Sequence, residues 1–170
     1  HLSRLLNREL WIKRDDLTGL GLGGNKVRKL EFIVGDAMKE EAGVLITSAA
    51  AQSNFCRLTA AAARKCGMEA ALLLRGSPEA PIQGNLLLNY MLGAHVEFTT
   101  TSDPFDPDTK HRLDAMTQHY LQRGLRPYLV YLHEGQRPGA LAVLGYVVGY
   151  FELVTQLAAE GIEADRIYVA

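Results

Sequence analysis

The sequence predicts an α/β protein organised around a doubly wound, mostly parallel sheet, and three observations carry that prediction. Short apolar runs alternate with longer segments whose apolar residues recur at three- and four-residue steps. Glycine, serine or asparagine stands at most of the joints between them. The composition, 48% hydrophobic and 22% charged over 170 residues, is that of a globular protein long enough to bury a sizeable core.

Taken in order, residues 9–14 (ELWIKR) read as a short strand of mixed polarity, followed by Asp15-Asp16 and a glycine-rich loop from Gly19 to Gly24. A helix is expected over about 25–41, with Val27, Leu30, Ile33, Val34, Ala37 and Met38 on one stripe and Gly43 beyond its end. Residues 44–47 (VLIT) form a buried strand. Ser53 or Asn54 then opens an alanine-rich helix that runs to Cys66 and stops at Gly67. A strand over 69–74, a helix over 82–92 and a strand over 95–99 follow. The Asp/Pro-rich stretch 99–107 reads as a turn inside a domain. A helix over about 107–123, a strand over 128–132, a long helix over about 138–160 and a terminal strand over 166–170 complete the alternation that βαβ units produce. The apolar run 140–151 stops at Glu152, short of the ~18–20 residues that span a bilayer, and reads as a buried helix.

Charge and cysteine usage narrow the function. With 18 Lys plus Arg against 19 Asp plus Glu the net charge is −1, which argues against nucleic acid as the main partner. Cys56 and Cys66 have neither the number nor the spacing of a disulfide framework, so a reducing cytoplasm is expected. The five histidines do not pair at metal-ligand spacing, and no metal site is expected. The chain begins at His1 without an initiator Met and stops in RIYVA, a strand cut where a ligand-binding βα loop should follow; a fragment is expected.

Two clusters could carry chemistry. The loop from Gly19 to Gly24 formally satisfies G-x-G-x-x-G, but the preceding strand is charged, four residues intervene, and the acidic partners Glu40 and Glu41 fall at a helix end, so dinucleotide binding is disfavoured. The phosphate-loop pattern fails too, because Asn25 separates Gly24 from Lys26 and Val27 replaces the hydroxyl residue. Lys26, Arg28 and Lys29 crowd into a helix's first turn, against its dipole. Either their side chains run out into water, or a partly desolvated lysine beside other cations serves as an imine-forming nucleophile; local physics leaves both open. Gln52-Ser53-Asn54 sits between a buried strand and a helix start. That is sufficient for an ordinary cap and equally suited to a substrate carboxylate.

The run LWIKRDDLTGLGLGGNKVRKLEF (residues 10–32), with QSN at 52–54 and TAAAARKCGM at 59–68, resembles the D-cysteine desulfhydrase and 1-aminocyclopropane-1-carboxylate deaminase family. These are fold-type II pyridoxal-phosphate enzymes of the tryptophan synthase β superfamily. The similarity runs through essentially the whole chain in order and spacing.

The resemblance implies pyridoxal 5′-phosphate as cofactor, a small amino acid as substrate, and a homodimer for the complete protein. It implies that Lys26 holds the cofactor through an imine and moves protons once substrate displaces it. Asn54 would hydrogen-bond the cofactor's 3′-hydroxyl. Ser53 would act near the substrate carbon or carboxylate, with Asn25, Gln52 and Asn54 also contacting substrate, and Lys29 would meet the cofactor phosphate. The reaction implied is that of a lyase or deaminase of the D-cysteine desulfhydrase type, releasing ammonia and a 2-oxo acid, with sulfide from D-cysteine; 1-aminocyclopropane-1-carboxylate deamination is the alternative. A catalytically incompetent α/β binding module is the alternative of another class. Phe55 replaces the His or Gln that relatives carry after QSN, and HEGQRPG (133–139) replaces their GGSN-containing turn, although Leu144-Gly-Tyr146 matches. The implied organisation has residues 1–42 opening a large cofactor-binding domain, 43–132 forming a small α/β domain, and 133–170 returning to the large one, which lacks its phosphate-binding loop.

Overall fold

Alternation along each strand splits the apolar side chains between two faces, and helices cover both. The computed structural model describes residues 2–101, 103, 106–130 and 137–168. Its helices are α1 (Leu2–Leu6), α2 (Lys26–Lys39), α3 (Asn54–Lys65), α4 (Gly84–Met91), α5 (Pro107–Gln122) and α6 (Arg137–Glu160). Its strands are β1 (Val44–Ala50), β2 (Glu69–Arg75), β3 (His95–Thr99) and β4 (Pro127–Leu129). The strands form one parallel sheet in the order β3-β2-β1-β4, with Val44 opposite both Glu69 and Pro127 and Ala71 opposite His95.

On one face Leu45, Leu72 and Leu74 meet Leu30 and Ile33 of α2, Leu58 of α3 and Leu86 of α4. On the other, Val44, Ile46, Ala71 and Leu73 meet Leu113, Met116 and Tyr120 of α5. The central strands β1 and β2 are therefore buried on both sides, as parallel strands require, while β3 and β4 at the edges are mostly half-buried. β1 is the strand at which the winding changes direction: the chain leaves it through α3 to β2 on one side, while β4 docks on the other. Ligands of such sheets bind in the crevice beyond the carboxyl end of that strand, and the residues just past Ala50 are Gln52, Ser53 and Asn54.

The helix α2 also packs against α6. A Cβ on Gly145 would stand 2.5 Å from the Arg28 carbonyl carbon, and one on Gly149 3.0 Å from the Arg28 side chain, so the two glycines let the backbones approach. Arg28 donates to both carboxylate oxygens of Asp15, at 2.7 and 2.8 Å, and to Glu152 of α6 at 3.0 Å. Lys13 reaches the same Glu152 and also Gln156, the latter at 2.6 Å. The guanidinium and the Lys13 ammonium hold the Glu152 carboxyl down at about 2, and Arg28 likewise lowers Asp15.

The structure corrects three sequence expectations. Residues 9–14 form no strand, because among the described residues no neighbouring strand offers them a ladder; Trp11 and Ile12 are exposed. Residues 166–168 form none either, with Tyr168 83% exposed; Val169 and Ala170 lie outside the described residues. The run 140–151 is helical as expected but not buried. Only its Ala142 and Gly145 are deeply covered, while Val143, Val147, Tyr150 and Phe151 face outward. By length and composition α6 is apolar enough to cross a membrane, a test that the core helix of a soluble domain also passes. The strand expected over 128–132 is seen as Pro127–Leu129. Residues 131 and 132, the distinctive sequence at 133–136 and residues 102, 104 and 105 lie outside the described residues.

Candidate functional site

Lys26 opens α2 directly behind the glycine loop. The loop takes its shape from backbone that L side chains resist: Gly23 has φ +73°, and a Cβ there would stand 2.8 Å from the Asp16 carbonyl carbon; Gly21 has φ +49°, and its Cβ would meet that of Ala61 at 2.7 Å. The loop therefore lies tight against α3. Thr18 Oγ1 accepts from the Gly24 N–H at 3.1 Å and donates to the Asp15 carbonyl at 3.0 Å, closing the turn.

Half-buried Lys26 places its Nζ 3.1 Å from Asn25 Oδ1. An amide is its partner, whereas Lys13, Arg14 and Arg28 each hold a carboxylate. The first turn of α2 contains no acidic residue. One turn on, Lys29 Nζ lies over the Tyr146 ring at 5.2 Å, and its amine is held below the ordinary lysine value first by burial and then by the charge of Lys26. Arg28 turns instead to Asp15 and Glu152, so the three cations divide: Arg28 clamps the helix, while Lys26 and Lys29 remain without a carboxylate among the described residues.

Ser53 caps α3, its Oγ accepting from the N–H groups of Phe55 at 3.1 Å and Cys56 at 3.3 Å. The capping role is thus met. Exposed Asn54 and Gln52 are tied to α4: Asn85 Nδ2 donates to Asn54 Oδ1 at 2.9 Å and to the Gln52 carbonyl at 2.7 Å. Phe55 turns inward and joins the core beside Leu58 and Cys56. Burial pushes the Cys56 thiol up to about 12, which leaves it inert.

Sequence reading missed two residues here. Arg57 of α3 is only 8% exposed, donates through Nη2 to the Gly23 carbonyl at 2.9 Å, and leaves its buried Nε without a partner. It joins the helix bearing Ser53 and Asn54 to the loop that precedes Lys26; no direct hydrogen bond between Lys26 and either residue is seen among the described residues. Asn85 is the second. A lone cation in the apolar helix stretch 55–63 was the available signal for Arg57; for Asn85 no local pattern exists.

A family model described as "Pyridoxal-phosphate dependent enzyme" matches residues 1–170. The chain is 39% identical over 178 residues to a D-cysteine desulfhydrase of Salmonella choleraesuis (strain SC-B67), covering 99% of this chain and 51% of that one. A solved structure described as an ACC deaminase homologue superposes with a TM-score of 0.78 at 38% identity, over 91% of this chain and 46% of that one. A solved diaminopropionate ammonia lyase of Escherichia coli shares the fold, with a TM-score of 0.68 at 19% identity over 95% of this chain and 44% of that one. The chain spans about half the length of the curated relatives it matches.

Proposed function

The chain belongs to the pyridoxal-phosphate dependent enzyme family, and from that premise we propose that it forms part of a lyase of the D-cysteine desulfhydrase type. Such an enzyme converts D-cysteine and water into a 2-oxo acid, ammonia and sulfide. Deamination of 1-aminocyclopropane-1-carboxylate is a second reading, favoured by the similarity to the ACC deaminase homologue.

The residues present suit the cofactor's carbonyl and ring. Lys26 offers an amine without a carboxylate partner among the described residues, Asn54 offers an amide edge, and the α3 start, with the Phe55 and Cys56 N–H groups held by Ser53 Oγ, stands at the switch strand. Bound pyridoxal phosphate supplies a carbonyl for imine formation and an electron-withdrawing ring that takes up charge from the substrate α carbon. Lys26 would hold the cofactor through Nζ, and the same amine, when free, would be the group placed to take the substrate's α proton and return a proton to the product. Asn54 Nδ2 donates to the 3′-oxygen. The start of α3, with the Ser53 hydroxyl and the amides of Asn25 and Gln52, orients the substrate carboxylate, and Lys29 meets the phosphate. Phe55, lying in the core, brings no acid or base to this chemistry.

The proposal includes a small domain over 43–132 flanked by parts of a larger one (1–42 and 133–170), a homodimer, and a cytoplasmic setting that suits the two free cysteines. The observation that carries the reading is the half-buried Lys26, partnered by an amide behind a loop pinned to α3. Pyridoxal phosphate added to the full-length protein should produce a visible absorption band that is lost in Lys26→Ala; a band of unchanged intensity in the variant would overturn the assignment. Ammonia release from D-cysteine and from 1-aminocyclopropane-1-carboxylate, measured side by side, decides between the two substrates.

A further inference from the structure

The amide groups around the start of α4 can be oriented without ambiguity, because backbone atoms fix each one. The Gln52 carbonyl can only accept, so the Asn85 atom 2.7 Å away is Nδ2. The same Nδ2 lies 2.9 Å from Asn54, so the Asn54 atom facing it is Oδ1. The Asn85 N–H can only donate, so it meets Gln52 Oε1, at 2.8 Å, and the Gln52 Nε2 turns to the Gln83 carbonyl at 3.1 Å. Gly84 makes the approach possible: its φ is +56°, and a Cβ there would stand 2.5 Å from Gln52 Oε1. Both protons of the Asn85 amide are thereby used. The Asn54 Nδ2, in contrast, has no partner among the described residues.

We propose that Asn85 is a positioning residue for the cofactor: by holding Asn54 Oδ1 it fixes the Asn54 amide with its N–H edge presented outward as a donor. The inference rests on the reading above that Asn54 meets the cofactor's 3′-oxygen. An asparagine left to itself turns over and presents either edge, and the wrong edge sets oxygen against oxygen. With its donor edge fixed in advance, Asn54 is ready for an acceptor. The pairing reaches from the start of α3 to the start of α4, 31 residues along the chain, so α4 contributes to the site without touching it.

The test titrates pyridoxal phosphate into the full-length apoenzyme, following the visible band to half-saturation, with thermal unfolding as a check on folding. Asn85→Ala keeps the backbone N–H on Gln52 and should raise the half-saturation concentration about three- to tenfold. Asn85→Asp has nearly the same shape but turns acceptors toward Asn54 Oδ1, which reverses the amide, so its effect should exceed that of Ala. The introduced carboxylate also faces the Gln52 carbonyl, so a purely structural role gives the same order, and the dependence on Asn54 is what separates the two. In an Asn54→Ala background both effects should vanish. Equal shifts in the two backgrounds would overturn the inference while leaving the role of Asn54 intact; an Asn54→Ala variant that binds cofactor like wild type would overturn the role of Asn54 itself.

Discussion

Replacing Gly145 by alanine adds one methyl group at the point where α6 crosses α2. An ideal Cβ there would lie 2.5 Å from the Arg28 carbonyl carbon and 3.0 Å from the Lys29 nitrogen. Carbon atoms settle at about 3.5 Å, so the helices must part by about 1 Å, and the obstacle is backbone, which cannot rotate aside. The same movement takes the 3.0 Å pair between Arg28 and Glu152 to the limit of ion pairing. Overpacking of this kind costs about 1–3 kcal/mol. Gly35 supplies the control. It lies in the same α2, exposed, with nothing within 4 Å of its would-be Cβ, so Gly35→Ala should stabilise by about 0.5–1 kcal/mol through helix propensity alone. Denaturant unfolding followed by circular dichroism gives both values. Because Lys26 and Lys29 flank Arg28, Gly145→Ala should also weaken the visible band with pyridoxal phosphate, whereas Gly35→Ala should not. If the two variants proved equally stable, the close crossing would not constrain the first turn of α2, and the reasoning would fail.

Other outcomes follow from the same contacts. Glu152 has its folded pKa lowered to about 2 from an ordinary 4.5, so its stabilising contribution is fully present above the ordinary value and is lost as pH falls toward 2. The stability difference between wild type and Glu152→Gln should therefore be flat at neutral pH and shrink in that window; a difference that grew on acidification would contradict the ion-pair assignment. Arg57→Met removes a buried cation that has no carboxylate partner among the described residues, so global stability should change by less than about 1 kcal/mol. Amide exchange at Gly24 and Asn25 should quicken as the loop loses its anchor on α3, and unchanged exchange would refute that role. A thiol reagent should label exposed Cys66 in the native chain and buried Cys56 only after unfolding; double labelling of the native chain would show that α3 opens.

How much of this was legible follows from the range of the interactions involved. Of the stripe Val27, Leu30, Ile33, Val34, Ala37 and Met38, the middle four are buried as the periodicity predicts, while Val27 is half-buried and Met38, at the helix end, is exposed. Ser53 is read as a cap from its place before an alanine run, and it caps. Residues 9–14 mislead because a strand is a statement about a neighbour, and among the described residues no strand lies beside Trp11 or Ile12. The run in α6 misleads because uniform apolarity carries no information on which face is covered; only contact with Arg28 through Gly145 and Gly149 decides that. Lys26, Ser53 and Asn54 stand out by their places at two helix starts, and the roles proposed for them come from a resemblance of motifs. Arg57 and Asn85 act over separations of 34 and 31 residues, for which no spacing rule exists.

The Lys13–Arg28–Glu152 clamp has a consequence for the order in which the molecule is made. The sheet and α3 to α5 come from one unbroken stretch, 44–129, whereas Lys13 and Arg28 find Glu152 at separations of 139 and 124 residues. A nascent chain therefore holds everything the sheet needs before it holds the partner that clamps the first turn of α2. At ribosomal rates of roughly 5–20 residues per second, completing α6 takes about 2–6 s more. During that interval the segment bearing Lys26 is anchored through the glycine loop, the Arg28–Asp15 pair and the packing of α2 on α3 and the sheet, without the clamp from α6. The earliest-made part of the site is the last to be locked.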